Sequence, residues 1–204
     1  MNKKLLYLYI SFFLLIHHTI SLATWFDNSW SISEELFNYI RLVLPQGKTI
    51  LELGSGWSTG QLCKYYTVYS VEHDKEWLNK YESNYIYASI VGDWYDIKSL
   101  EKELPEEYDL ILVDGPIAKF WPRDGFYTNL YLFNTDVIII FDDVDREDEY
   151  NLMLNVSKKI KRKYKVFRDS FGKEFGVIEA KKSISKELPS KELFDKKTLK
   201  RRVQ

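Results

Sequence analysis

The stretch Thr49-Ile50-Leu51-Glu52-Leu53-Gly54-Ser55-Gly56-Trp57-Ser58-Thr59-Gly60 decides the reading of this chain. An apolar strand runs to an acidic residue and then into a glycine-rich turn. Eighteen residues beyond Gly54, a second apolar run, Val68–Val71, ends in Glu72. Glycine has no Cβ, so a glycine turn leaving a strand lets a ligand lie against bare backbone. A carboxylate at the end of the next strand can accept two hydrogen bonds from a ribose diol. Together these features describe a nucleoside-binding site at the edge of an α/β sheet.

Working outward, the chain alternates. Ser31–Glu35 reads as a helix start, with serine as N-cap and acids in the first turn; Leu36, Ile40, Leu42 and Leu44 continue an apolar face up to Pro45. Strands are predicted at Thr49–Leu53, Thr67–Glu72, Tyr85–Val91, Tyr108–Val113 and Asp136–Phe141. Helices are predicted at Thr59–Tyr65, Lys75–Asn84, Tyr95–Glu103, Gly125–Phe133 and Glu147–Arg162. Such alternation indicates a doubly wound, mostly parallel sheet. Lys165–Asp169 and Glu174–Ala180 leave no room for a helix between them and read as a closing antiparallel hairpin.

Length and composition fit a single globular domain, with net charge −1 and one cysteine. Cys63 excludes an internal disulfide and reads as a small buried residue. Three regions are expected. Residues 1–26 carry Lys3 and Lys4 ahead of an uncharged apolar run from Leu5 and read as a signal peptide or membrane anchor. That implies export, or membrane association through residues 5–23, with a cytoplasmic location as the alternative. Residues 27–181 form the domain. Residues 182–204 form a basic tail expected to be disordered. Lys158–Lys163 reads as a solvated helix end, and without interleaved aromatics nucleic acid is not expected as a partner. Nothing in the chain sets an oligomeric state.

Glu52-Leu53-Gly54-Ser55-Gly56, then Ser70–Asp74, Val91–Asp93 and Leu112–Pro116, together with the closing hairpin, resemble class I S-adenosylmethionine-dependent methyltransferases over about residues 30–180. Ser58 departs from that family at its third glycine position. A dinucleotide oxidoreductase is the nearest competitor, but it wants glycine where Thr59 stands. The resemblance implies a Rossmann-like, seven-stranded sheet with six strands parallel and one antiparallel. It implies that Gly54, Ser55 and Gly56 pass under S-adenosylmethionine, with Glu52 near its amino-acid end. Glu72 would bind the ribose, Asp93 the adenine amino group, and His73 or Trp94 would lie beside the ring. Asp114 would also stand near this cofactor.

Asp114 ends one strand, and Asp142 and Asp143 end the next. Three carboxylates at neighbouring strand ends suit magnesium. They resemble the metal triad of catechol O-methyltransferase-like enzymes, except that an Asp-Asp pair replaces Asp-Asn. Without metal, Asp114 or Asp143 is a candidate general base; the plainer reading is capping of the next helix. The long loop Asp114–Gly125 is the expected substrate wall, with Lys119 and Arg123 as candidate catalytic cations. The expected reaction is methyl transfer, at oxygen, to a small or saccharide-like acceptor. A non-catalytic nucleoside-binding module and an aminopropyl transferase remain the alternatives.

Overall fold

The computed structural model describes residues 31–117, 120–181 and 200–202, so the expectations for residues 1–26, for Lys119 and for most of the tail lie outside the described residues. Helix α1 (Glu34–Val43) starts where serine was expected: Ser33 Oγ accepts from the Leu36 N–H at 3.2 Å, and Glu34 and Glu35 complement the dipole. Strand β1 (Thr49–Leu53) leads through α2 (Trp57–Leu62) to β2 (Thr67–Glu72) and β3 (Asn84–Tyr87). Strands β4 (Ile90–Val91) and β5 (Trp94–Tyr95) form a small separate hairpin, followed by α3 (Ile97–Glu103). Then come β6 (Leu110–Val113), one helical turn α4 (Gly125–Thr128), a 3-10 turn (Leu130–Leu132) and β7 (Ile138–Phe141). Helix α5 (Glu147–Ile160) and the hairpin β8 (Tyr164–Arg168) and β9 (Glu174–Ile178) complete the domain.

The sheet order is β3-β2-β1-β6-β7-β9-β8. Only β9 runs against the other six, as expected for the closing hairpin. A short β10 (Lys200–Arg202) pairs antiparallel with β8 at the edge. It adds an eighth strand within the stretch expected as a basic, disordered tail.

The period-2 alternation of the strands divides the core into two layers. Leu51, Leu53, Ile111, Val113, Ile139 and Phe141 point to one face, where Leu100 of α3 and Leu152, Met153 and Val156 of α5 cover them. Ile50, Leu110, Leu112 and Ile140 point to the other, against Leu36, Phe37 and Ile40 of α1 and Leu62 of α2. Each fully buried leucine or isoleucine contributes about 1.5–3 kcal/mol relative to exposure.

Three expectations are corrected. The helix expected over Lys75–Asn84 is a run of turns and bends: Asn79 adopts φ 60°, none of the residues is fully buried, and Asn84 already begins β3. The strand expected over Tyr85–Val91 breaks after Tyr87. Gly92, at φ 66°, turns the chain back instead, and α3 begins only after Asp96, whose Oδ2 accepts from the Ser99 N–H and hydroxyl. The helix expected over Gly125–Phe133 is reduced to one α-turn and one 3-10 turn. Among the described residues no helix is long and apolar enough to cross a membrane.

The order of strands reverses between β1 and β6: the chain winds outward to β3, then returns to lay β6 on the other side of β1. In open α/β sheets such a switch point opens a crevice beyond the C-terminal strand ends.

Candidate active site

A cleft of about 870 Å³ lies at that switch point. Gly54 leaves β1 at φ 93°, in the left-handed region that favours glycine, and a Cβ there would stand 3.0 Å from the Gly115 Cα. A Cβ on Gly115 would stand 2.6 Å from both the Gly54 Cα and the Tyr95 hydroxyl. Two glycines are therefore required for the turns after β1 and β6 to touch, and they leave bare backbone as the cleft floor.

Glu72 stands at the cleft edge with its carboxylate fixed by neutral donors. The Ser55 N–H donates to Oε2 at 2.8 Å, and the N–H groups of His73 and Asp74 donate to Oε1 at 2.7 Å each. His73 Nδ1 is 3.0 Å from the same Oε1 in a contact whose geometry makes no hydrogen bond. The His73 ring meets Trp121 edge-on, with centroids 4.8 Å apart. Tyr95, Trp77, Phe120 and Trp121 add aromatic surface to the same wall.

Glu52 sits underneath this floor. It is buried and is not among the residues lining the cleft. Its Oε2 accepts from the Thr59 hydroxyl at 2.8 Å and the Ser70 hydroxyl at 2.7 Å, while Thr59 Oγ1 accepts from the Gly56 N–H at 3.0 Å. Burial pushes its carboxyl up to about 7, against the lowering effect of the two hydroxyls. Glu52 thus braces the glycine turn from below. Burial likewise pushes the Cys63 thiol up to about 11, which fits an unreactive residue.

Asp93 and Trp94 are not brought to the cleft. Asp93 is exposed at the tip of the β4–β5 hairpin. Trp94 packs under the loop, where a Cβ on Gly125 would stand 2.1 Å from its ring. Their neighbour Tyr95 lines the cleft, and its buried hydroxyl has no hydrogen-bond partner among the described residues.

On the other side of the cleft, Asp114, Asp142 and Asp143 converge as expected, each with an oxygen within 4.8 Å of the others. Asp114 and Asp143 line the cleft; Asp142 lies behind them. Two cations of the chain contact these acids. Arg123 is only 5 % exposed; its guanidinium is 3.3 Å from Asp114 Oδ1 and from Asp143 Oδ2. It also donates to the carbonyls of Asp114, Pro116 and Asp142. Lys173 Nζ lies 2.7 Å from Asp142 Oδ2 and 3.1 Å from Asp143 Oδ1. Arg146 reaches Asp143 Oδ2 at 3.1 Å from the solvent side.

These partners separate the three acids. Burial, then the Asp142 charge, raises the Asp114 carboxyl well above the usual carboxylate range, with Arg123 opposing. Burial also pushes Asp142 up to about 6 despite Lys173. Burial acts to raise Asp143 too, but Lys173, Arg123 and Arg146 together hold it below its ordinary value. Lys173 and Arg123 stay charged, because the surrounding carboxylates outweigh their burial.

Lys173 was not singled out by sequence reasoning. A signal was present, however: β9 runs antiparallel, so the residue before it must lie at the edge where the parallel strands end.

The sequence matches no protein-family model and no curated protein sequence. Solved structures share the fold. A methyltransferase from Pyrococcus furiosus aligns with TM-score 0.51 and 18% identity, over 72% of this chain and 81% of that one. A SAM-dependent methyltransferase from Aquifex aeolicus aligns with TM-score 0.51 and 14% identity, over 74% and 91%. At such identities the likeness concerns architecture: the chain has the Rossmann-like sheet of these methyltransferases.

Proposed function

We propose that the chain transfers a methyl group from S-adenosylmethionine to an oxygen of a small or saccharide-like acceptor. The observation that carries the reading is the Glu72 carboxylate, immobilised by three backbone N–H groups at the edge of a cleft floored by Gly54 and Gly115. A carboxylate offers about four acceptor positions, so Oε2 keeps one for a ribose hydroxyl beside its bond from Ser55. The buried Tyr95 hydroxyl and His73 Nδ1, both orphaned at the cleft wall, suit a polar ligand there. The aromatic wall of His73, Trp77 and Trp121 suits a purine face.

Bound in this cleft, S-adenosylmethionine would supply an electrophilic methyl group on its sulfonium. The residues of the chain then orient the acceptor and remove its proton. Asp114 is the group for that role, because it faces the cleft and burial beside the Asp142 charge raises its proton affinity. Asp143 is held ionised by its cations and serves the field of the site. Arg123 positions Asp114 and the Pro116 turn, because its donors are directed inward. Alignment of donor and acceptor supplies most of the rate in such a transfer.

Calorimetry of the full chain with S-adenosylmethionine, and with its demethylated product, tests the reading. Micromolar binding of both is expected. A folded chain that binds neither does not work as a methyltransferase.

A further inference from the structure

We infer that Asp114, Asp142 and Asp143 form a socket for the chain's own cations, and that Lys173 excludes the divalent metal this triad resembles a site for. The inference goes beyond the methyl-transfer reading and does not need it.

The argument is one of donors and charge. An ammonium has three protons. Lys173 has three acceptors within reach: Asp142 Oδ2 at 2.7 Å, Asp143 Oδ1 at 3.1 Å and the Ser31 carbonyl at 3.1 Å. The ammonium is therefore engaged with two of the three acids, Asp142 and Asp143. Arg123 closes the other side, against Asp114 Oδ1 and Asp143 Oδ2. Arg123 and the half-buried Lys173 offset part of the negative charge of Asp114, Asp142, Asp143 and the neighbouring Glu149, and Arg146 adds a further cation from the rim.

A hard divalent cation wants six or more oxygens at close to 2 Å. Here four of the triad's six carboxylate oxygens face nitrogen instead. The buried oxygen that remains without a hydrogen-bond partner among the described residues is Asp142 Oδ1. Asp114 also presents Oδ2 outside its Arg123 contact, but a dication held between it and Asp142 would be brought close to the Lys173 ammonium and the Arg123 guanidinium, where repulsion is strong in a buried setting. The Asp-Asp pair now has a reason: the second carboxylate, where the related pattern carries asparagine, is matched by an additional internal cation.

Manganese titration of the full chain, followed by electron paramagnetic resonance of the free ion, tests this without any methyl acceptor. The wild-type chain is expected to show no saturable binding up to about 1 mM. Lys173→Met keeps most of the apolar stem but removes the charge, and should bind manganese at least about tenfold more tightly than wild type, with Asp142→Asn added to the same chain reversing the gain. Circular dichroism identifies a variant that has not folded; Lys173→Gln, which keeps two donors, then replaces it. Saturable micromolar binding by the wild type, or a folded Lys173 variant that gains none, overturns the inference. Failure of the methyl-transfer reading would appear separately, as absence of S-adenosylmethionine binding.

Discussion

Two groups of carboxylates stand at one edge of the sheet and are held in opposite ways. At the ends of β1 and β2, Glu52 and Glu72 are bound by hydroxyls and backbone N–H groups, all neutral. At the ends of β6 and β7, Asp114, Asp142 and Asp143 are bound by Arg123, Lys173 and Arg146. Neutral donors orient a carboxylate without cancelling its charge, so Glu72 remains an acceptor with its field directed into the cleft. Cations cancel the charge and lock the strand ends together. One half of the edge is built to receive a ligand, and the other is built to balance itself while exposing one acid, Asp114.

The largest expected effect tests the balanced half. Arg123→Ala leaves several buried acceptors and two carboxylates without their partner, and should lower unfolding stability by about 3–5 kcal/mol in urea. Arg123→Lys should recover only part, because an ammonium cannot reach the Asp114, Pro116 and Asp142 carbonyls together. A loss below about 1 kcal/mol would show that the cations do not hold the β6–β7 edge.

Glu52 sharpens the comparison through pH. Its folded carboxyl is raised from 4.5 to about 7, so the folded state binds this proton more tightly than the unfolded one. The associated stability is present below about pH 4.5 and is lost as pH rises through 7, a change on the order of 3 kcal/mol. Urea midpoints at pH 5 and pH 8 should therefore differ less in Glu52→Gln than in wild type. Equal differences in the two proteins would remove Glu52 as a neutral-donor brace with a raised proton affinity.

The receiving half is tested by ligand affinity. Glu72→Ala should weaken S-adenosylmethionine binding about 100-fold, the scale of one or two hydrogen bonds to a charged group, with Glu72→Gln between it and wild type. Unchanged calorimetric affinity in a folded Glu72→Ala chain would assign the ligand to another place. The smallest effect is expected at Asp93. Because it is exposed at the hairpin tip, Asp93→Asn should change the same affinity by no more than about twofold. A larger loss would bring the β4–β5 hairpin into the site after all.

The sheet was legible because its signals are local and repeated. Strands β1, β2, β6 and β7 are short apolar runs closed by an acid or glycine, and those closing residues mark the edge where the cleft opens. Glu72, Asp114, Asp142 and Asp143 were therefore found from their positions at strand ends. What escaped depends on tertiary neighbours. The Lys75–Asn84 segment carries helix-forming residues, but its contacts are made from turns: the Tyr81 ring packs on Gly60, and Ser83 and Asn84 bond to the Val68 carbonyl of β2. Asp93 follows an apolar pair, as a strand-end acid does, yet Gly92 folds that pair into its own hairpin. Glu52 and Glu72 look alike in the sequence, and only packing puts one below the floor and the other beside it. Lys173 lies 30 residues from Asp143 in the chain and meets it solely because β9 reverses direction beside β7.

That reversal bears on how the molecule is made. A ribosome delivers Asp114, Asp142 and Asp143 well before Lys173, and Ser31 earlier still. Until the final hairpin emerges, the acids at β7 lack their ammonium, and α1 lacks the bonds that Ser170 makes to Glu35. The first helix and the last hairpin therefore close on each other late. Nascent chains halted before residue 173 should lack the native β7 edge, and release of the C-terminal hairpin should be the step that completes the domain.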